Sequence, residues 1–446
     1  MTAPFPFGDA ALDPAAQRKA DDAAYRAQLV YLFERSPFYR AKLATAGIAS
    51  AAAAGRLDDI AALPFTTKDE LRKSQQEAAP FGTHLAASRT DVKRVFSTSG
   101  TTGVPSYIPL TRRDIADWVA IGSRSYSRTG LAAGEALITT YNAGPFVAGL
   151  ALESFQNIGV THIPIGTGNT ERLVTALKLL KPEAIACTPS YASYIAEWAR
   201  QHGWDVRQSG MKRIMVAGEP GGGEPDMRRR LEEAWGAKVY EAMGLGDIAA
   251  SLWGECEAQS GMHFSGAGFV HVELIEPESG RAIEMREGAE GELVYTHIRR
   301  EAAPLLRFRS RDHVRVWTGR CSCGRHTLRT RCIGRTDDML IVRGVNVFPS
   351  AIREIVNRFQ PKVSGYIAVR PAKKGVKQEP PLKVAVELAP GAAPDSAAEA
   401  ALAGSIAEAI RSALVVTAEI VLLPSGALPR SEYKSKLVDY SEAKAA

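Results

Sequence analysis

Apolar residues recur along this chain with more than one period, and each change of period marks a change of architecture. In the first hundred residues Leu29, Leu32 and Phe33 fall at helical spacing, and the pattern halts at RSPFYRAKL. A further helix start is predicted in LPFTTKDELR, where Thr67 and Glu70 are spaced as a capping box. From about Val95 to Val216, short β-like runs such as EALITTY, VTHIPI, AIACTP and RIMVAG alternate with helical ones such as ERLVTALKLL. That alternation predicts a parallel sheet covered by helices. Between about Gly261 and Val316 the texture turns to strands, GFVHVELIEP, GELVYTHI and HVRVW with the turn ESGR among them, which predicts a β-rich subdomain on the α/β body.

Further on, GRTDDMLIVRGVNVFPSAIREIVNRF reads as strand, turn and helix, with Ile352, Ile355, Val356 and Phe359 on one helical face. A lysine-rich hairpin region, RPAKKGVKQEPPLKVAVEL, and a long alanine-rich helix follow. The expected domain boundary lies near Arg335 to Asp338 and divides residues 1–336 from 337–446. No internal repeat is visible.

At 446 residues the chain exceeds what one core fills. Hydrophobic residues make up 45% and charged residues 23%, the balance of an ordinary soluble protein, and no apolar run approaches the roughly 18 residues that cross a bilayer. The opening MTAPFPFGDAALDPAAQRKADDAAY has acids and prolines where a secretory signal has a basic start and an apolar core, so a cytoplasmic location is expected. The formal charge of +6 is scattered among acids, which argues against nucleic acid and suits an anionic small-molecule ligand. Cys187, Cys256, Cys321, Cys323 and Cys332 form an odd, uneven set that argues for thiols or a metal rather than disulfides.

On composition alone STSGTTGVP, residues 97–105, reads either as a surface loop or as a phosphate cradle. Glycines let a backbone fold tightly enough to aim successive N–H groups inward, and hydroxyls add neutral donors. It is not a Walker loop, because the dipeptide Gly-Lys occurs nowhere in the chain. In its setting the segment resembles the phosphate-binding loop of the acyl- and aryl-adenylate-forming enzymes, and the chain as a whole resembles their phenylacetate-CoA ligase branch. The resemblance runs nearly end to end, through RSPFYRAKL, LPFTTKDELR, TPSYASYIAE, AGEP, EAAPLLRFRSRD, CSCGR, IGRTDDMLIVRGVNVFPSAI and ALPRSEYKSK. It implies an α/β fold: a large N-terminal domain of α/β subdomains plus a β-barrel-like subdomain, and a small mobile α+β C-terminal domain. It also implies an ATP- and Mg2+-dependent ligase that joins an aromatic carboxylic acid to AMP and then to coenzyme A. A homodimer is compatible with it; nucleic acid and membrane partners are not expected.

Residue by residue, the resemblance assigns Thr98, Ser99, Gly100, Thr101, Thr102 and Gly103 to the ATP phosphates, Asp312 to the ribose hydroxyls, Arg335 to ribose and phosphate, and Asp337 to the hinge. Lys434 becomes the catalytic lysine, a mobile point charge for the carboxylate and α-phosphate oxygens. Ala217, Gly218, Glu219 and Pro220, with Glu241, Met243, Gly244 and Asp247, border adenine and the acyl group, Asp247 reaching Mg2+ through water. Tyr141 and Phe146 are candidates for the aryl pocket, and Gly344 leaves room for the pantetheine arm. Cys256, His263, Cys321 and Cys323 suit a structural zinc site, whereas Cys187 and Cys332 read as core. Three departures stand out. The usual Tyr-Gly-x-Thr-Glu is Met243-Gly244-Leu245-Gly246-Asp247, Val104 stands where relatives commonly place a lysine, and Tyr433 replaces the usual glycine before the catalytic lysine. They keep two rivals open: transfer of the acyl group to a carrier-protein thiol or another nucleophile, and a nucleotide-binding scaffold with impaired turnover. GLGDIA also imitates the dinucleotide fingerprint GxGxxA, but no clear ribose acid follows it.

Overall fold

The computed structural model describes residues 14–97, 106–141, 148–166, 168–343, 345–373, 375–391, 396–430 and 436–443. Thr98 to Gly103, Val104, Phe146, Gly344, Tyr433 and Lys434 therefore lie outside the described residues. Helices α1 (Pro14–Arg35) and α2 (Pro37–Thr45) are separated by Ser36, whose Oγ accepts from the Tyr39 N–H at 3.3 Å while Pro37 opens the second helix. Helix α3 (Lys68–Glu77) carries the predicted capping box: Thr67 Oγ1 accepts from the Glu70 N–H, and Glu70 Oε2 accepts from the Thr67 N–H at 2.8 Å.

A hairpin of β1 (Arg94–Ser97) and β2 (Tyr107–Leu110), then α4 (Arg112–Ser127), leads into the alternating region. There β3 (Ala136–Thr139), α5 (Ala148–Ile158), β4 (Thr161–Pro164), α6 (Thr170–Leu180), β5 (Ala184–Cys187), α7 (Pro189–Gln201), β6 (Arg213–Val216), α8 (Pro225–Trp235) and β7 (Lys238–Leu245) follow one another. The strands pair in parallel in the order β4-β3-β5-β6-β7, as the alternation predicts. Every residue of β5 is buried, which is why AIAC is apolar without alternation: helices cover both faces.

At β7 the sheet changes direction. β8 (Ala249–Glu255) returns antiparallel, and β9 (Met262–Phe264), β10 (Val270–Ile275), β11 (Ala282–Ile283), β12 (Glu290–His297), β13 (Phe308–Trp317) and β14 (Arg329–Arg335) extend a single twelve-stranded sheet ordered β11-β10-β12-β13-β14-β9-β8-β7-β6-β5-β3-β4. The strand-rich region is thus hydrogen-bonded directly to the α/β body. Its turn ESGR closes the β10–β11 pair, with Ile275 opposite Ala282. One apolar core joins α4 to the antiparallel strands through Trp118, Leu252, Trp253 and Tyr295, and another lies under α6 to α8 around Leu173, Tyr191 and Trp235.

After β14 the chain leaves this sheet. β15 (Leu340–Val342), β16 (Val345–Val347), α9 (Pro349–Asn357), β17 (Val363–Arg370), β18 (Lys377–Gln378), β19 (Leu382–Leu388), α10 (Ser396–Leu414) and β20 (Ala418–Leu423) build two three-stranded sheets and a core of their own, which includes Ile352, Val356, Val384, Ile406 and Ile410. Ile352, Ile355 and Val356 are buried on the predicted face of α9, and Phe359 packs against them. The lysine-rich region is the antiparallel β17–β19 connection. Among the described residues, no helix is long and apolar enough to cross a membrane.

Candidate functional site

β13 and β14 place Asp312 directly opposite Arg335. Arg335 Nη1 donates to Asp312 Oδ1 at 3.0 Å, and its Nε and Nη2 close a fork on Asp337 at 2.9 and 2.8 Å. One guanidinium therefore joins a buried carboxylate of the large sheet to an exposed one on the connector. Burial opposes the Arg335 charge, but Asp312 and Asp337 outweigh it and hold the group firmly protonated. Arg311, just before Asp312, has φ 67°, a backbone region that non-glycine residues seldom occupy and that is found at sites where geometry is imposed. Cys332 on β14 lies in the field of Asp312, Glu241 and Arg335, so the acids of β7 and β13 share one neighbourhood. Its residue surface is partly exposed beside that polar cluster, unlike the core position expected of it, whereas Cys187 is buried as expected.

The AGEP segment leaves the end of β6. Gly218 and Gly221 have φ of 96° and 148°, and a Cβ on Gly222 or Gly223 would come within 2.3 Å of Val216 Cγ2 or 2.5 Å of Glu241 Oε2. The glycine run lets this loop press against the end of β7. Glu219 Oε1 accepts from the Ser190 N–H at 2.8 Å, at the positive end of α7. Gly244 is required by packing, since a Cβ there would meet Ala250 O at 2.1 Å, and Met243 packs half-buried on the main core. Glu241 is buried beside Glu255. Arg228 Nη2 donates to Glu255 Oε2 at 2.6 Å, and the same oxygen accepts from the Glu241 N–H at 2.8 Å. Burial, and then the Glu255 charge, push the Glu241 carboxyl up to about 7 against the pull of Arg228.

Asp247, in the turn from β7 to β8, is buried, and both its oxygens accept from Lys68 Nζ, at 2.6 and 2.8 Å. Lys68 is the first residue of α3, held there by the capping box. A carboxylate engaged in this way does not fit direct coordination of Mg2+; its counter-charge is a lysine. TTKDE marks where Lys68 sits on its helix, but nothing in the sequence pattern pairs it with a residue so far along the chain. His84, buried and joined through Nδ1 to Ser74 Oγ at 2.9 Å, lies in the field of this ion pair, and burial brings it down to about 4.

Tyr141 is buried, its hydroxyl donates to Cys187 O at 2.9 Å, and it shares an apolar cluster with Phe155, Ala242 and Ala217. Tyr141 and Ala217, both expected at the acyl group, thus belong to one surface. At the other end of the chain, Arg430 forks onto Glu387 at 2.6 and 2.8 Å and stacks 3.7 Å from the Tyr366 ring centre, while the Val369 N–H donates to Leu437 O at 2.7 Å. Arg430 and Leu437, described residues on either side of 431–435, are thus both bonded within the C-terminal core.

Cys256, His263, Cys321 and Cys323 converge so that their ligand atoms all lie within 4.8 Å of one another. Cys256 Sγ is 3.7 Å from Cys321 Sγ, and Cys323 Sγ is 3.5 Å from His263 Nε2, close to the edges of a tetrahedron built on metal–ligand bonds of roughly 2.0–2.3 Å. His263 Nδ1 pairs with Thr327 Oγ1 at 2.7 Å, which orients the ring with Nε2 toward the sulfurs. The donor set fits a structural Zn2+.

Residues 344–440 match the AMP-binding enzyme C-terminal domain. Over 420 residues, 91% of this chain and 92% of the relative, the sequence is 34% identical to the phenylacetate-coenzyme A ligase of Thermus thermophilus. The chain belongs to the phenylacetate-coenzyme A ligase family. It is accordingly an AMP-forming acid–thiol ligase whose substrates are a carboxylate, ATP and coenzyme A. The fold of this ligase is similar to that of 2-hydroxyisobutyryl-CoA ligase in the postadenylation state with R3-HIB-AMP, at TM-score 0.87 and 26% identity over 99% of this chain and 96% of that one. The same relative with 2-HIB-AMP and CoA in the thioesterification state matches at TM-score 0.70 and 28% identity, over 97% and 91%.

Two outcomes are expected of the ligase. Elemental analysis should find close to one zinc ion per chain, and Cys321→Ser should lose most of it and unfold at a lower temperature; an unchanged zinc content in the variant contradicts the fit. The folded Glu241 carboxyl stands above its ordinary value of 4.5, so its penalty is absent below about pH 4.5 and complete once pH has risen through about 7. Glu241→Gln should therefore stabilise the protein by about 1–3 kcal/mol at pH 8 and scarcely at pH 5, measured by denaturant unfolding. Equal gains at both pH values would exclude ionisation as the cause.

Proposed function

We propose that this ligase activates an aromatic carboxylic acid and delivers it to coenzyme A. The observation that carries the aromatic reading is the apolar cluster of Tyr141, Ala217 and Ala242 next to Gly218. Small residues leave space for a flat ring, and a buried tyrosine offers it an aromatic neighbour. The identity to a phenylacetate-coenzyme A ligase supports the same reading.

In the first half-reaction a carboxylate oxygen of the acid attacks the α-phosphorus of ATP, and the bond to pyrophosphate breaks. In the second the coenzyme A thiol attacks the acyl carbon, its proton passes to solvent and AMP leaves. We assign Thr98, Ser99, Gly100, Thr101, Thr102 and Gly103 to the phosphates, Asp312 with Arg335 to the ribose, and Glu219, Pro220, Glu241, Met243 and Gly244 to the walls around adenine and the acyl group. Asp337 is assigned to the hinge between residues 1–336 and 337–446, Gly344 to the pantetheine arm, Phe146 to the aryl pocket and Lys434 to the charge that follows the reacting oxygens. Mg2+ enters with ATP. Zn2+ on the three cysteines and His263 is structural, since four protein ligands leave no open position for chemistry.

Acid-dependent exchange of pyrophosphate into ATP tests this reading. Phenylacetate, benzoate, aminobenzoates, hydroxybenzoates and 2-hydroxyisobutyrate are compared, and an aromatic acid should give the highest kcat/KM. A higher value for 2-hydroxyisobutyrate than for every aromatic acid would sink the aryl reading. Lys434→Ala should slow the exchange by roughly 10²–10³ and still pass a supplied acyl adenylate to coenzyme A; undiminished exchange would remove Lys434 from the mechanism. Coenzyme A that fails to release AMP from the adenylate would point to a carrier-protein thiol or another acceptor.

A further inference from the structure

Helix α9 carries a buried cation that the chemistry above leaves unused. Arg353, 5% exposed, belongs to the C-terminal segment, yet its Nη2 donates to Pro220 O at 2.7 Å and to Glu224 Oε1 at 2.8 Å. Both acceptors lie in the glycine-rich loop between β6 and α8, the loop assigned to the nucleotide. Burial works against its charge, but Glu224, Glu219 and Glu241 keep Arg353 protonated. The other contacts of this face are lighter: Ser350 Oγ donates to Ile333 O at 2.5 Å, Arg230 Nη1 donates to Asn357 Oδ1 at 3.2 Å, and Phe348 stacks on His313 with ring centres 5.1 Å apart.

The Arg353–Glu224 pair is incomplete on both sides. Arg353 Nε and Glu224 Oε2 are buried and meet no protein partner among the described residues. Water serves such groups as well as this pair does, so the pair adds little net affinity, while any misdocking that separates the two charges inside the interface is heavily penalised. An interaction of that kind fixes the position of a docked domain without holding it shut. That suits a domain that docks for one half-reaction and leaves for the other. The higher similarity to the postadenylation form of the related ligase than to its thioesterification form, 0.87 against 0.70, gives the docked position a place in the cycle.

We propose that Arg353 is the positioning residue that registers the C-terminal domain on the nucleotide loop for acid activation, and that it lets go of Pro220 and Glu224 before thioester formation. The proposal rests on the two half-reactions given under Proposed function. Arg353 acts through the Pro220 carbonyl and touches neither the acid nor the thiol.

The test uses the full-length enzyme with Arg353→Met, Arg353→Lys and Glu224→Gln, and the acid that gives the fastest exchange in the wild type. Pyrophosphate exchange reports the first half-reaction, and transfer of a separately supplied acyl adenylate to coenzyme A reports the second. Arg353→Met should slow exchange by about tenfold or more and leave the transfer within about twofold. Arg353→Lys should recover part of the exchange, because an ammonium still reaches one of the two acceptors, and Glu224→Gln should lose less than Arg353→Met and in the same half only. Exchange at the wild-type rate in Arg353→Met overturns the proposal. Equal losses in both halves also overturn it, since they reveal a general structural role. A wild-type enzyme that exchanges with no acid would instead overturn the proposed function, so the two failures are distinguishable.

Discussion

The strand Lys238–Leu245 must satisfy neighbours that run in opposite directions, and the site is organised around that constraint. β6 lies parallel on one side and β8 antiparallel on the other, with the β8 register slipping between Met243 and Leu245. A parallel strand is normally followed by a crossover helix, but here the chain must double back at once, and it does so through Gly246 and Asp247. The end of this strand is where the two halves of the sheet stop sharing neighbours, the kind of crevice in which open α/β sheets hold ligands. Glu241, Met243, Gly244 and Asp247 all occupy that seam. Gly222 and Gly223 are glycines because the neighbouring loop has to lie against it.

Around the seam, charge is distributed as a small number of shared cations. Arg335 serves Asp312 and Asp337, Arg228 bonds Glu255 and its charge reaches Glu241, Lys68 takes both oxygens of Asp247, and Arg353 spans Pro220 and Glu224. In each case the partners come from different elements. Desolvation consumes most of the attraction in such pairs, so their chief effect is to make one relative placement of the elements better than its neighbours. For an enzyme that must hold an acid and an α-phosphorus in line, placement is the quantity that matters.

What could be read from the sequence was local. The Thr67–Glu70 box, the alternation of short apolar runs with helices, and the apolar face of α9 follow from spacings of two to four residues, and the structure has them all. The four candidate metal ligands were legible by type, though only folding brings their atoms together. Partners distant along the chain were not legible: Lys68 and Asp247 are 179 positions apart, and Arg353 and Glu224 are 129 apart, and no periodicity connects them. The glycines at 222 and 223 were visible, but their cause, contact with Val216 and Glu241, is tertiary. Cys332 was misjudged for a related reason: its partner across the sheet is the apolar Val314, but the charges of Asp312, Glu241 and Arg335 also reach it, and the residue is only partly buried.

Among the described residues, the C-terminal core starts at Leu340 and draws no side chain from the twelve-stranded sheet. Its contacts with the large body include a band on and just before α9, formed by Phe348, Ser350, Arg353, Glu354 and Asn357, and Gly365 lies close to Arg230 beyond it. In evolutionary terms the domain is therefore exchangeable. A chimera that takes residues from Leu340 onward from another family member keeps two intact interiors, and compatibility reduces to whether this largely buried contact accepts a foreign partner.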